Sequence, residues 1–332
     1  MKTINLLAAN NCLGSSLMGV VDFMQFSNSL WKVRHPNCDE VIFNYRHYAA
    51  EGETVTFSNG FTMPAQSLAN YQQGDAVFLV SNFAHEEHSM ARYVEACANF
   101  NEVLRLEHQA CTPISTYCTG TFGLAQSGLL DEKASTTVWW MKNLFQTYFP
   151  KINLTLDELV VESDNLITGG ATTSYFNVCM RLLEKLTDPI FANQMSKVLL
   201  LDKRRLSQQP FIDTSFIINK HDDLVERIQT WMVQHYNESH SLDEIAKSHN
   251  VSKRTLIRKF KASCGETPLN YLQKIRVERA KHYLESTDLP VERIVERVGY
   301  EDAASFRKLF VAQTQLTPKD YRKRFSYFAD AS

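Results

Sequence analysis

An α/β sandwich built on a mainly parallel sheet, followed by an all-α domain with two helix-turn-helix units, is the architecture this 332-residue sequence predicts. Three observations carry the prediction. Apolar strand-like runs alternate with helical stretches over residues 1–200. The C-terminal third repeats itself at an offset of 50 residues. Between the two lies LSQQPFIDTSFIINK, a polar segment with one Pro and no sustained helical period, which reads as a linker. At roughly 150 residues per domain the chain is long enough for two domains, each with its own core. The expected bounds are 1–205 for the body, 206–220 for the linker and 221–328 for the helical domain.

The strands expected in the body are Ile4–Ala9, Val41–Tyr45, Ala76–Val80 and Pro113–Tyr117, all rich in apolar residues. The helices expected between them are Leu17–Trp31, Ser89–Glu107, Thr137–Tyr148 and Thr172–Lys185. Alternation of this kind feeds a parallel sheet, and in such sheets ligands gather at the carboxyl ends of the strands.

Composition narrows the function classes. Apolar residues make up 44% and charged residues 22%, as in ordinary globular proteins. No apolar run reaches the ~18 residues of a membrane helix. The start, MKTINLLAANN, reads as a first strand and not as a signal peptide, so the cytoplasm is the expected compartment, with no membrane partner. The seven cysteines have no CxxC spacing, so neither a disulfide framework nor a zinc module is indicated, and no cofactor or metal is expected. Six of them read as small buried hydrophobes; Cys118 is set apart below.

Charge is uneven. From Lys220 onward there are 20 Lys and Arg against 16 Asp and Glu, whereas the rest of the chain is acidic. Between Val251 and Lys281 nine basic residues face only two acids, Glu266 and Glu278. A basic module on an acidic body points to a polyanion as partner.

The repeat is specific. Leu256, Phe260, Ala262, Thr267, Pro268 and Tyr271 recur as Phe306, Phe310, Ala312, Thr317, Pro318 and Tyr321. Ser241 and Glu244 form a capping box that opens a helix whose inner face is Leu242, Ile245 and Ala246. Asn250 fits the turn and Ser252 caps the next helix. There Leu256 and Phe260 point inward, leaving Lys253, Arg254, Arg258 and Lys259 outside. The second unit starts near Pro290, turns at Gly299 and continues through EDAASFRKLF. Between the units LNYLQKIRVERAKHYLES reads as one amphipathic helix, with Leu269, Leu272, Ile275, Ala280 and Leu284 inward.

The stretch from Ser241 to Phe325 resembles the AraC-type DNA-binding domain, including the spacing of both units and the linker helix. The resemblance implies two recognition helices held by a linker helix, placed to enter successive major grooves about 34 Å apart. The expected DNA contacts are Ser252, Lys253, Arg254, Thr255, Arg258 and Lys259 from the first unit. Ala304, Ser305, Arg307 and Lys308 are expected from the second. The sequence departs from the family at Val295, where a small Ala is usual, and at Gln315, where a Gly is usual. The second reader opens with the acids Glu301 and Asp302, which can accept from cytosine N4 but more often cap a helix.

In the body, ISTYCTG ends a strand at Cys118 and leads into a helix-like segment, the layout of a nucleophile elbow. A helix N-terminus there is expected to lower the thiol pKa, and Gly120 to permit the tight turn. This segment with the following LLDEKASTTVWW resembles the PfpI-type, class I amidotransferase-like domain, whose fold is flavodoxin-like. Such a domain ahead of an AraC-type module is the architecture of the GlxA-like transcriptional regulators. Relatives often carry His directly before the Trp that follows the Thr pair, and here that place holds Val138. Valine neither takes nor orients a proton, so no catalytic residue is expected. Cys118, Thr119, Tyr117 and Trp139 are instead the candidate ligand contacts. His85 and His88 follow a strand, and their loop is a candidate to approach the elbow.

The resemblance implies a sequence-specific transcriptional regulator whose body senses a small molecule and mediates dimerisation. Its implied partners are double-stranded DNA, a nitrogenous metabolite as effector, a second copy of the chain and RNA polymerase. Two alternatives stay open: a cysteine-dependent amidase or hydrolase tethered to DNA, and a redox sensor acting through Cys118.

Overall fold

The computed structural model describes residues 1–37, 41–84, 86–201, 206–213 and 222–327. It divides into two compact units, Met1–Gln208 and Gln209–Ser332.

In the first unit the strands are β1 (Lys2–Ala8), β2 (Phe43–Ala49), β3 (Thr54–Thr56), β4 (Thr62–Pro64), β5 (Gln66–Ser67), β6 (Ala76–Leu79), β7 (Ile114–Tyr117), β8 (Ala134–Ser135), β9 (Asn153–Leu154), β10 (Val160–Ser163) and β11 (Leu166–Gly169). The helices are α1 (Gly14–Arg34), α2 (Glu87–Cys97), α3 (Asn101–Gln109), α4 (Gly120–Gln126), α5 (Lys142–Tyr148), α6 (Tyr175–Leu186) and α7 (Pro189–Val198). Seven strands form one sheet in the order β10-β11-β7-β6-β1-β2-β5, and β10 alone runs antiparallel to its neighbour. Helices α1 and α6 cover one face; α2, α3 and α4 cover the other. The central strands β6 and β7 are buried at every residue; β6 accordingly reads as an unbroken apolar run, whereas β7 buries Ser115 and Thr116 between Ile114 and Tyr117.

Two differences concern the sheet. The second strand runs Phe43–Ala49 and not Val41–Tyr45, in register from Lys2↔Phe43 to Ala8↔Ala49. Its polar Arg46 and His47 look like a strand end in sequence, yet only the two-residue β5 lies beyond β2, so half-exposed side chains are tolerated. The hairpin β10–β11 was not expected. It turns on Asp164, at φ 57, and Asn165, between the paired Ser163 and Leu166.

Chain order places a switch point between β1 and β6. The chain crosses from β1 to β2 on one side, then returns to β6 on the other. The loops after these strands diverge, leaving space at their carboxyl ends.

The second unit contains α8 (Asp223–Gln234), α9 (Leu242–Ser248), α10 (Lys253–Cys264), α11 (Pro268–Ser286), α12 (Val291–Arg297), α13 (Ala303–Thr314) and α14 (Pro318–Phe325). Its apolar residues form two cores. The first gathers Val225, Ile228, Met232, Ile245, Leu256 and Phe260 on Leu272 and Ile275 of α11. The second gathers Ile294, Val298, Phe306, Phe310 and Tyr321 on Val277, Ala280 and Leu284 of the same helix. Helix α11 is therefore the shared spine, 19 residues and about 28 Å long. Leu269, expected on its inner side, is instead 48% exposed, because the helix starts only at Pro268 and its first turn overhangs the core.

Caps fix the helix ends. Ser241 and Glu244 form the reciprocal capping box. Ser252, Thr267, Asp302 and Thr317 each accept from backbone N–H groups in the first turn they precede. Val295 is buried in the second core, so the larger side chain is accommodated there. Gln315 is left-handed at φ 57, the conformation Gly265 takes at φ 72 in the first unit. The glutamine carries strain there that a glycine would not.

Of the expected linker, residues 206–213 are described and 214–220 lie outside the described residues. The described part is anchored. The Leu206 carbonyl accepts from Leu159 N at 2.8 Å, and Gln208 is buried in the first unit. In the second unit Ile212 O accepts from the buried Lys281 Nζ at 2.5 Å. Lys281 also pairs with Glu278 at 2.9 Å.

Burial pushes the Glu278 carboxyl up to about 7, against the opposing pull of Lys281 and with the help of Asp213 and Glu285. The unfolded chain releases this proton near the usual 4.5, whereas the fold holds it to about 7. Raising pH through that window therefore removes stability, by at most about 3 kcal/mol. Thermal melts at pH 5 and pH 8 should differ less in Glu278→Gln than in the parent chain; an unchanged difference would clear this residue of the role.

Candidate nucleic-acid interface and cysteine elbow

In the second unit α9–α10 and α12–α13 are the two helix-turn-helix pairs, turning at Asn250 (φ 55) and Gly299 (φ 78). A Cβ on Gly299 would fall 2.5 Å from the Asn237 carbonyl oxygen, so both space and backbone require glycine there. Leu256 and Phe260 hold the inner side of α10, and Phe306 and Phe310 that of α13, at zero exposure. The opposite faces are left to solvent.

The expected contact residues divide by what already occupies them. Arg254 and Arg258, one helical turn apart, are exposed on α10 and hold no ion pair among the described residues. Lys253 pairs with Asp243 at 2.8 Å, half exposed. Ser252 is used as the cap, accepting from Thr255 N at 3.1 Å, and its hydroxyl lies 2.9 Å from that of Thr255. Lys259 turns to Asp222 at 2.9 Å, the cap of α8, and thus away from the Arg254–Arg258 face. In the second reader Ala304, Ser305, Arg307 and Lys308 are exposed. Asp302 accepts from both Ala304 N and Ser305 N at 3.0 Å, which makes it a helix cap. Arg307 pairs with Glu292 at 2.5 Å, leaving Lys308 as the reader's exposed cation without an ion pair among the described residues.

In the first unit Cys118 sits between β7 and α4 at φ 54, a left-handed backbone on a non-glycine residue. That is the strained turn of a nucleophile elbow. Neighbours hold it in place. Cys118 N donates to Gly170 O at 2.8 Å, and Thr137 Oγ1 donates to Cys118 O at 2.7 Å. The left-handed turn falls on Cys118 and not on Gly120. Gly120 is needed for close approach, since a Cβ there would lie 2.1 Å from Thr116 Oγ1.

The elbow is closed. Cys118 is only 3% exposed, and burial pushes its thiol up, with hydrogen bonding by Ser81, Thr119 and Thr172 opposing only in part. The expected lowering by the helix end is overturned, because desolvation of a fully buried thiolate outweighs a seven-residue helix. Cys111, expected among the buried cysteines, is exposed, while Cys38 lies outside the described residues. The exposed Cys111 should react with iodoacetamide at least tenfold faster than Cys118 at pH 7.5, read by mass spectrometry of tryptic peptides. Equal rates would mean the elbow opens readily.

The other candidate ligand contacts are also enclosed. Tyr117 is fully buried against the Phe78 and Tyr175 rings, at 6.1 and 5.8 Å. Thr119 Oγ1 accepts from Asn82 N at 2.9 Å and donates to Asn82 O at 2.7 Å. Trp139 stands edge-on to Trp140 at 5.1 Å and is 8% exposed. Val138, in the place where relatives have His, is fully buried. His85 lies outside the described residues, and His88 is exposed on α2.

Open space lies one strand further along. A cleft of about 420 Å³ opens at the carboxyl ends of β1, β2 and β6, where the chain order switches direction. Asn10, Asn11, Glu51, Asn82, Arg92 and Tyr93 are among its lining residues. Asn82 joins it to the elbow, because its backbone holds Thr119 and its side chain donates to Asn10 O at 2.8 Å. These residues were not picked out from sequence. The available signal was polar residues directly after apolar strands, Asn10-Asn11 after β1 and Ser81-Asn82 after β6.

Among the described residues no group of three or more His, Cys, Asp or Glu could hold a metal ion. No helix among them is long and apolar enough to cross a membrane.

Comparison with known proteins agrees with this geometry. The DJ-1/PfpI family model matches residues 46–185, and a helix-turn-helix domain model matches residues 245–324. The HTH-type transcriptional regulator CdhR of Pseudomonas aeruginosa is 24% identical over 285 residues, covering 85% of this chain and 82% of that protein. The HTH-type transcriptional regulator GbdR of the same species is 20% identical over 324 residues, covering 97% and 84%. A solved structure from Vibrio parahaemolyticus superposes with a TM-score of 0.51 at 14% identity, covering 60% of this chain and 98% of that one, which shows the fold. The chain thus joins a DJ-1/PfpI-family domain to a helix-turn-helix domain of the AraC type.

Proposed function

We propose that this protein is a sequence-specific DNA-binding transcriptional regulator whose first unit senses a small molecule and pairs two copies of the chain. The observation that carries the reading is the pair of reader helices on one spine, the first presenting Arg254 and Arg258 to solvent with no ion pair among the described residues. Two exposed guanidinium groups one turn apart suit phosphates and guanine edges alike. The chain works in the cytoplasm, on double-stranded DNA, and RNA polymerase is its further partner. Sensing and not turnover is the role of the first unit, since Cys118 is buried with its thiol pushed up and Val138 offers it no base.

The test is selection of bound duplexes from a random pool by the full chain, followed by fluorescence anisotropy. A selected site should bind at least about a thousandfold tighter than a scrambled duplex. Equal affinity for both would overturn the reading.

A further inference from the structure

We infer, resting on the regulator reading above, that Arg279 and Arg297 form a further contact with DNA, a clamp on the phosphate backbone between the two major grooves that the readers enter. The clamp reads no bases. It adds affinity and fixes register beside a second reader that is short of free charge.

Arg279 on α11 and Arg297 on α12 are exposed, and neither holds an ion pair among the described residues. Each rests on a tyrosine ring instead. The Arg279 Cζ lies 5.4 Å from the centre of Tyr236, and the Arg297 Cζ 5.6 Å from that of Tyr283. The two tyrosine hydroxyls interact, and both guanidinium charges act on Tyr236, so the arginines converge on one spot. The acids next to them in sequence are engaged elsewhere, Glu278 with Lys281 at 2.9 Å and Glu296 with Arg293 at 3.0 Å. A ring contact uses the face of a guanidinium and holds the side chain in place. Its in-plane N–H groups stay free to take phosphate oxygens. Arg276 has a different task. It lies over Tyr300 at 5.2 Å, and its N–H groups donate to Tyr236 O at 2.7 Å and Glu238 O at 2.9 Å. It ties the junction together.

The two arginines stand where the helix-turn-helix units meet. Tyr236, beneath Arg279, packs against both cores. Its neighbour Asn237 is pressed against Gly299, the turn that leads into the second reader. Arg297 ends α12, just before that turn, and α13 begins directly after it at Ala303. A recognition helix enters its groove by its N-terminal residues, so the start of α13 must come close to DNA and Arg297 is carried there with it. Successive major grooves are separated by a minor groove, and the phosphates along its edges are what a junction between two readers meets. The second reader opens on Glu301 and Asp302, and its Arg307 is engaged with Glu292. Two cations beside it offset those acids and leave base reading to α13.

The experiment uses the full chain, the selected duplex and fluorescence anisotropy across a salt series. Arg279→Gln combined with Arg297→Gln should flatten the slope of log K against log salt by about 2 and weaken binding by about tenfold or more. The ranking of mutated duplexes should stay as it was, because backbone contacts carry no sequence information. Arg279→Lys with Arg297→Lys should keep the slope, whereas a role in packing alone would move the melting temperature and leave the slope unchanged in every variant. A second measurement needs no variant. Uncharged methylphosphonate linkages, placed between the two sequence blocks that the selection defines, should weaken the parent chain by about tenfold and the glutamine variant by less than about twofold. An unchanged slope in the glutamine variant, or a parent chain indifferent to every neutral linkage there, would overturn the inference; arginines that instead serve an acidic protein partner give that result. A parent chain that binds all duplexes alike would overturn the regulator reading, and the slope on any one of them would still decide the clamp.

Discussion

Replacing Arg254 and Arg258 together with alanine is expected to lower affinity for the selected duplex by at least a hundredfold, and to flatten its salt dependence. The two side chains extend from one face of α10, held outward by Leu256 and Phe260 on the other. Each bidentate pairing with a guanine edge is worth roughly 1–3 kcal/mol, and each phosphate left without its cation reduces the salt slope by about 1. The fold should be untouched, because neither residue holds an ion pair among the described residues and both are good helix formers replaced by the best. Lys259→Ala is the control. Its ammonium is engaged with Asp222 at the start of α8, so its removal should affect stability more than DNA affinity. Anisotropy at three salt concentrations measures all of this. If Lys259→Ala weakened binding as much as the arginine pair, the reading face would have to be rotated along α10. Arg307 and Lys308 form the corresponding pair on α13, but Arg307 is already engaged with Glu292. The second reader should therefore contribute less.

What the sequence disclosed follows the range of the interactions involved. The duplicated unit was readable because its determinants are local. A cap and its N–H lie two or three residues apart, and Leu256 and Phe260 face inward on any helix that contains them. The body was readable as alternation but not as a sheet order, because strand pairing joins distant residues, such as Leu166 with Ile114. The β10–β11 hairpin was missed although its Asp164-Asn165 turn was present as a signal. The elbow was found, and its chemistry was misread. Whether a thiol is lowered by a helix end or raised by burial depends on how fully distant segments desolvate it, and here burial outweighs the hydrogen bonds of Ser81, Thr119 and Thr172 that pull the other way. Glu51 and Arg92, on different elements, have no sequence relation that would have paired them around one cleft.

The two cores of the helical unit should fail separately. Phe260→Ala and Phe310→Ala each empty a fully buried aromatic site, a destabilisation of about 3–5 kcal/mol. Phe260 belongs with Val225, Ile228 and Met232 of α8, whereas Phe310 belongs with Ile294, Val298 and Tyr321. The cores share α11, with Leu272 and Ile275 serving the first and Val277, Ala280 and Leu284 the second, and the partly buried Tyr236 packs against both. A cavity in one core weakens the packing of its own three or four helices and leaves the other set in place. Amide hydrogen exchange on the full chain reads this directly. In Phe260→Ala, protection should fall across α8, α9 and α10 and persist in α13 and α14. In Phe310→Ala the pattern should reverse. Uniform loss of protection across α8–α14 in either variant would show that the spine couples the cores into one cooperative unit. The reader helices would then fold and dock as a pair, and damage to the second would disable the first. Independent failure has the opposite consequence: Phe310→Ala would keep an intact first reader and retain the part of DNA binding that Arg254 and Arg258 supply.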